Sequence, residues 1–158
     1  MSDLQIIDNP EVLPGSRVAV VAARYNRDVV DRLLKGCLDT LAERGIPEKA
    51  VTVVKVPGAF ELPVAARRLA RRGEVDAVIA LGAVIRGETP HFDHVAGECA
   101  RGIASVALDF ELPVIFGVLT VDNEQQALAR AGGKSGNKGE EAALAALEMI
   151  SVLRRIGP

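Results

Sequence analysis

Ala77-Val78-Ile79-Ala80-Leu81, continued by Gly82-Ala83-Val84-Ile85-Arg86-Gly87-Glu88-Thr89-Pro90-His91, decides the fold. Its opening residues are all apolar, with no polar residue alternating among them. A strand of that kind is buried on both faces, which is the situation of a parallel sheet covered by helices. Three other runs read the same way. Val18-Ala19-Val20-Val21-Ala22 and Val51-Thr52-Val53-Val54 precede it, and Val114-Ile115-Phe116-Gly117-Val118-Leu119 follows.

Helix-periodic segments separate these runs. Residues 28 to about 44 place Val30, Leu33, Leu34, Cys37, Leu38 and Leu41 on one face. Residues 62–72 open with Pro63, well suited to a first turn. Residues 92 to about 110 carry Val95, Cys99, Ile103 and Val106. Two further helices are expected over 123–130 and from 139 to about 155. Strands alternating with helices predict a three-layer α/β/α domain with a four-stranded parallel sheet and right-handed crossovers. Residues 1–158 read as one domain with no repeat or linker.

The chain has 158 residues, 49% of them hydrophobic but only 3% aromatic, so Val, Leu, Ile and Ala must fill the core. The net charge is −2, and the cations are spread along the chain rather than gathered into a footprint for nucleic acid. Short basic pairs such as Arg71-Arg72 suit a helix C-terminus. The first residues lack a basic start followed by an apolar run, so no signal peptide is expected. No apolar stretch is long enough to span a membrane. Cys37 and Cys99 are flanked by apolar residues in helical segments and read as small buried hydrophobes, not as a disulfide or a metal pair. A cytoplasmic location is expected.

The last helix carries Ala142, Ala143, Leu144, Ala145, Ala146, Leu147, Met149, Ile150, Val152 and Leu153, which leaves little polar face. Such a helix is buried on more than one side, so contact with another subunit is expected.

In open parallel sheets ligands bind beyond the carboxyl ends of the strands. Those ends carry Arg24-Tyr25-Asn26, then Pro57-Gly58-Ala59-Phe60-Glu61, then 82–91. Tyr25 and Phe60 sit just past strand ends and Phe116 lies in the last strand, all suited to stacking on a flat ring. Thr89 is a good N-cap and Pro90 a good first helical residue, so Gly87, Glu88 and Thr89 lead into a helix N-terminus whose amides can cradle phosphate. His91 then falls in the first turn, beside that cradle, where an imidazole is suited to proton transfer. His91 and His94 are the only histidines, and no ligand set around them supports a metal.

The stretch 131–139, Ala-Gly-Gly-Lys-Ser-Gly-Asn-Lys-Gly, resembles a phosphate loop only superficially. Leu128 stands where the P-loop pattern needs Gly, and the segment follows a helix instead of a strand. Its glycines are expected to form a turn between two helices. Arg130, Lys134 and Lys138 are candidate phosphate contacts, with Arg130 favoured for its fork geometry. No activated nucleophile stands out, which points to binding and proton transfer without a covalent enzyme intermediate.

Taken together, Val56-Pro57-Gly58-Ala59-Phe60-Glu61-Leu62-Pro63 and Leu81-Gly82-Ala83-Val84-Ile85-Arg86-Gly87-Glu88-Thr89-Pro90-His91-Phe92-Asp93 resemble the signatures of the lumazine synthase family. Gly117-Val118-Leu119-Thr120, Arg130-Ala131-Gly132 and Gly136-Asn137-Lys138-Gly139 resemble its C-terminal third, so the likeness runs nearly the whole length.

The resemblance implies a flavodoxin-like fold and a transferase of riboflavin biosynthesis. That enzyme condenses 5-amino-6-(D-ribitylamino)uracil with 3,4-dihydroxy-2-butanone 4-phosphate and releases phosphate and water, with no cofactor or metal. It implies that the pyrimidine stacks on Tyr25 and contacts Asn26. Ala59, Phe60 and Glu61 then lie beside its ribityl chain, with Ala83, Val84 and Ile85 along its edge and Phe116 closing the site from a neighbouring subunit. Phosphate falls to the Glu88 and Thr89 amides and Arg130, with Lys138 as a further candidate, and His91 moves protons. Tyr25 replaces the usual Phe or Trp, Ala83 the frequent Thr, and His94 the common Tyr, to which no role is given. The family assembles as pentamers or as twelve pentamers in a 60-subunit shell. The shell is favoured here because the 133–137 turn is short, with the arm 1–14 reaching a neighbour and riboflavin synthase as a candidate cargo. The alternatives are a non-catalytic flavin-binding protein and a shell whose work is encapsulation.

Overall fold

The computed structural model describes residues 3–8 and 11–158. Residues 1, 2, 9 and 10 of the expected arm lie outside the described residues. In the described part of the arm, the Arg155 guanidinium donates to the Asp8 carbonyl at 3.2 Å, and Leu4 and Ile6 are exposed.

The main elements are β1 (Val18–Ala23), α1 (Arg27–Glu43), β2 (Val51–Val56), α2 (Leu62–Arg72), β3 (Ala77–Ile85), α3 (His91–Phe110), β4 (Val114–Val121), α4 (Glu124–Ala129), β5 (Ala131–Gly133), β6 (Gly136–Asn137) and α5 (Lys138–Ile156). β1 to β4 form one parallel sheet in the order β2-β1-β3-β4. The three-layer α/β/α, flavodoxin-like arrangement expected from the sequence is the one observed.

Alternate residues of the strands supply two cores. Val18, Val20 and Ala22 of β1 and Ile79 and Leu81 of β3 pack with Leu33, Cys37 and Leu41 of α1 and Ala143, Ala146 and Ile150 of α5. Ala19, Val21, Val78 and Ala80 face the other way, onto Leu62 and Ala66 of α2 and Cys99, Ile103 and Val106 of α3. Both faces of β1 and β3 are thus buried, which is why their sequences run apolar without alternation. β2, read from the sequence as buried on both faces, is instead an edge strand in the single chain, with Thr52, Val53 and Lys55 exposed because no further strand covers that edge.

α1 and α5 cross closely. A Cβ at Gly139 would overlap the Leu33 carbonyl oxygen, and one at Gly36 would overlap the Asn137 side chain. α5 buries its broad apolar face inside its own chain, leaving Leu144 and Met149 exposed. Asn137 caps it by accepting from the Gly139 and Glu140 amides.

A second expectation fails at the glycine-rich stretch. Residues 131–137 do not form a simple interhelical turn but a small antiparallel ribbon of β5 and β6. Gly132 (φ 98°) and Gly136 (φ 85°) adopt left-handed backbone that reverses the chain there, and the Ser135 amide bonds the Ala129 carbonyl.

Candidate active site

The sheet register prepares an opening at the carboxyl ends of the strands. β1 and β3 pair from Val18↔Ala77 to Ala22↔Leu81 and then part. β3 and β4 continue to pair as far as Ile85↔Val121. The segment Gly82, Ala83, Val84 and Ile85 therefore overhangs β1, with the side that faced β1 no longer in a ladder. An unpaired strand edge presents backbone donors and acceptors to whatever lies beside it.

Asn26 sets the shape of this gap. It has left-handed backbone (φ 60°, ψ 49°), which Asn tolerates better than most residues. Its side-chain amide donates to the Ala83 carbonyl at 2.8 Å, tying the exit of β1 to the overhang. The Arg24 and Tyr25 amides donate to the Pro57 carbonyl, tying the same exit to that of β2. The Tyr25 ring lies against the backbone of Gly58, where a Cβ would come within 2.6 Å of it.

The result is a cleft of about 560 Å³. Tyr25, Asn26, Ala59, Phe60, Glu61, Ala83, Val84, Ile85, Thr89 and His91 line it, so most of the sequence-expected residues converge. Glu88 is exposed in the loop leading to α3, but its side chain is not part of the lining. Tyr25 is 67% exposed and Phe60 58% exposed, so two of the chain's few aromatic rings stand open to a ligand instead of filling the core.

α3 starts at His91, between the range expected from 92 and the Pro90 start that its capping signals suggested, with Pro90 as its cap (φ −65°, ψ −2°). The anticipated capping bond is nevertheless made: the Thr89 hydroxyl accepts from the His91 amide at 3.4 Å. His91 thus opens the helix on the cleft wall.

Three expected residues lie elsewhere. Phe116, Arg130 and Lys138 line a separate hollow of about 370 Å³ beside β4, with Ser135 and Glu141. β4 is the opposite edge of the sheet from β2. Among the described residues no Lys or Arg lines the His91 cleft. One chain therefore separates the imidazole and open rings from the candidate phosphate-binding cations. Arg130 is held by its own helix, donating to the Gln126 carbonyl at 3.0 Å.

His94 also lines the cleft, as do Phe92 and Val95. Its spacing from His91 put it on the same helix face, and that was the available signal. Cys37 and Cys99 take no part. Both are buried free thiols, and burial pushes them up to about 12 and about 11 respectively. Among the described residues no His, Cys, Asp and Glu side chains group so as to hold a metal ion, and no helix is long and apolar enough to cross a membrane.

An imidazole at a helix start, open aromatic rings and a free backbone edge suit binding of a flat, hydrogen-bonding heterocycle and proton transfer to it. Residues 15–154 match the 6,7-dimethyl-8-ribityllumazine synthase family, which works in riboflavin biosynthesis, and the chain belongs to that family.

Proposed function

We propose that the protein condenses 5-amino-6-(D-ribitylamino)uracil with 3,4-dihydroxy-2-butanone 4-phosphate to 6,7-dimethyl-8-ribityllumazine. The observation that carries this reading is His91 at the start of α3, facing a cleft with open aromatic rings, in a chain of this family.

The flat pyrimidine stacks on Tyr25 and contacts Asn26, with its polar edge along the backbone of 83–85 on the side of β3 that β1 no longer pairs. Ala59, Phe60 and Glu61 lie beside the ribityl chain, and the Glu61 carboxylate accepts from its hydroxyls. The ring amine attacks the ketone and water leaves to give an imine. Phosphate is then eliminated, and the second nitrogen closes the ring with loss of further water. His91 moves protons in these steps. Because both reactants are intrinsically reactive, holding them together supplies much of the acceleration.

The keto-phosphate needs a cation, and among the described residues none lines the cleft of one chain. Arg130 and Lys138 flank Phe116 on the opposite sheet edge. A neighbouring copy placing that edge over the cleft brings a third ring and the cations to the Glu88 and Thr89 amides. Such a head-to-tail contact closes into a ring, in keeping with a pentamer and with twelve pentamers forming a 60-subunit shell. The exposed Leu4 and Ile6 suit an arm that contacts a neighbour. Riboflavin synthase is a cargo that such a shell could hold.

The test uses His91→Ala and Arg130→Ala. Each variant alone is slow in forming the fluorescent lumazine. Co-expressed at equal levels, they leave about a quarter of the sites with both residues intact, and activity recovers toward that fraction. No recovery in a mixed oligomer refutes the shared site. Binding of both substrates by wild-type protein without turnover refutes the enzyme reading.

A further inference from the structure

We propose that Arg86 is a positioning residue that clamps the loop carrying the Glu88 and Thr89 amides and fixes His91 against the cleft. Its catalytic consequence rests on the proposed condensation; the clamp itself rests on geometry. β3 ends at Ile85 and α3 begins at His91, so a short irregular segment with Gly87 inside it separates them. The Arg86 side chain spans that segment. Its guanidinium carbon lies 4.2 Å from the centroid of the Phe92 ring. Its NH1 group lies 3.6 Å from an Asp93 oxygen, and its Nε donates to Asp122 at 3.1 Å. Its own amide donates to the Val121 carbonyl at 2.9 Å. One residue thus joins the end of β3, the first turn of α3 and the end of β4.

Asp122 is fixed in turn. Its amide donates to the Gln126 side chain at 2.8 Å, and the Gln126 amide donates to Asn123 at 2.8 Å. Phe92 lines the cleft beside His91, whereas Arg86 does not reach the lining. Its effect on chemistry therefore passes through Phe92 and the helix start. Each ion pair is about half exposed and worth little by itself. The combination differs because a planar guanidinium stacks on a ring while donating sideways, which an ammonium cannot reproduce. Proton transfer demands a heavy-atom approach of roughly 2.6–3.2 Å. A loop containing Gly87 does not hold that tolerance unaided.

Arg86→Gln, Arg86→Lys and Asp122→Asn are made in the full chain. Turnover, affinity for the pyrimidine substrate and amide hydrogen exchange over residues 87–92 are then measured. Arg86→Gln lowers kcat roughly tenfold to hundredfold, as expected for a misplacement of about 1 Å. Pyrimidine affinity stays within about twofold, because Tyr25 and Phe60 lie outside the clamp, and exchange over 87–92 accelerates. Arg86→Lys does not restore kcat. Arg86→Gln with Asp122→Asn is no worse than Arg86→Gln alone, since both cut one network.

A folded Arg86→Gln protein with kcat within twofold of wild type overturns the proposal, whatever its exchange. Full recovery in Arg86→Lys also overturns it, by reducing Arg86 to a charge. If Arg86→Gln does not fold, Arg86→Lys and Asp122→Asn carry the same test. If wild-type protein makes no lumazine, the condensation reading fails, and exchange in Arg86→Gln alone decides the clamp.

Discussion

Gly58→Ala tests whether Tyr25 is placed by the exit of β2. The backbone at Gly58 is extended (φ −145°, ψ −176°), which any residue adopts, so alanine introduces no backbone strain. Its Cβ, however, would lie 2.6 Å from Cδ2 and 2.9 Å from Cε2 of the Tyr25 ring. Restoring ordinary contact requires a displacement of about 1 Å. Because Tyr25 is 67% exposed, the ring can swing into solvent without disturbing the core. The stability cost should therefore fall below the 1–3 kcal/mol typical of overpacking, at about 1 kcal/mol or less. The binding cost is larger in proportion. A stacked ring pair is worth roughly 0.5–1.5 kcal/mol beyond its buried area, so losing its geometry weakens pyrimidine binding roughly twofold to twelvefold. Calorimetric titration of the pyrimidine and urea unfolding measure the two quantities. In a Tyr25→Ala background, Gly58→Ala should cost no further affinity, because the ring it displaces is gone. Unchanged binding in Gly58→Ala, or the same loss in both backgrounds, would refute the placement of Tyr25 by Gly58.

His91→Ala should slow turnover by roughly 10²–10⁴-fold while retaining both substrates, because proximity still operates without the proton carrier. Complete inactivity in a folded, substrate-binding variant contradicts that division. Asn26→Ala puts alanine, which tolerates left-handed backbone less well than asparagine, at φ 60° and leaves the Ala83 carbonyl without its side-chain donor. Destabilisation of roughly 1–3 kcal/mol in urea unfolding is expected. The thiols govern stability at high pH. Below pH 9 folded and unfolded chains both keep their thiol protons, and above it the unfolded chain loses them while Cys99 and Cys37 hold theirs to about 11 and about 12. Stability therefore falls as pH rises through that window, by about 1.4 kcal/mol per pH unit for each thiol. Cys37→Ala should remove one share of the slope, and an unchanged slope between pH 9 and pH 11 counts against burial as the cause.

Most of the fold was legible because its signals are local. Among the described residues, helix periodicity and apolar continuity located the four strands of the main sheet and the five α-helices, with ends displaced by a few residues. The largest displacement was β3, which runs to Ile85 instead of Leu81. Gly82 looked like a loop residue, yet it lies in the strand, where a Cβ would come within 3.2 Å of the Leu62 side chain. The ribbon at 131–137 was missed because two glycine-rich segments of a few residues carry no period. In the site, His94 shared the helix face of His91, but the spacing alone assigned it no purpose.

What the sequence by itself determined is the alternation of buried strands with amphipathic helices, and hence which residues stand at the strand ends. Those properties depend on neighbours a few positions away. Only the tertiary structure decided the strand order β2-β1-β3-β4 and the overhang of β3 past β1. It alone separated Arg130 and Lys138 from the cleft of His91 and grouped them with Phe116. It alone brought Arg86 onto Phe92 and Asp122. These depend on pairing between segments far apart in the chain, where register and packing, not local preference, set which groups meet.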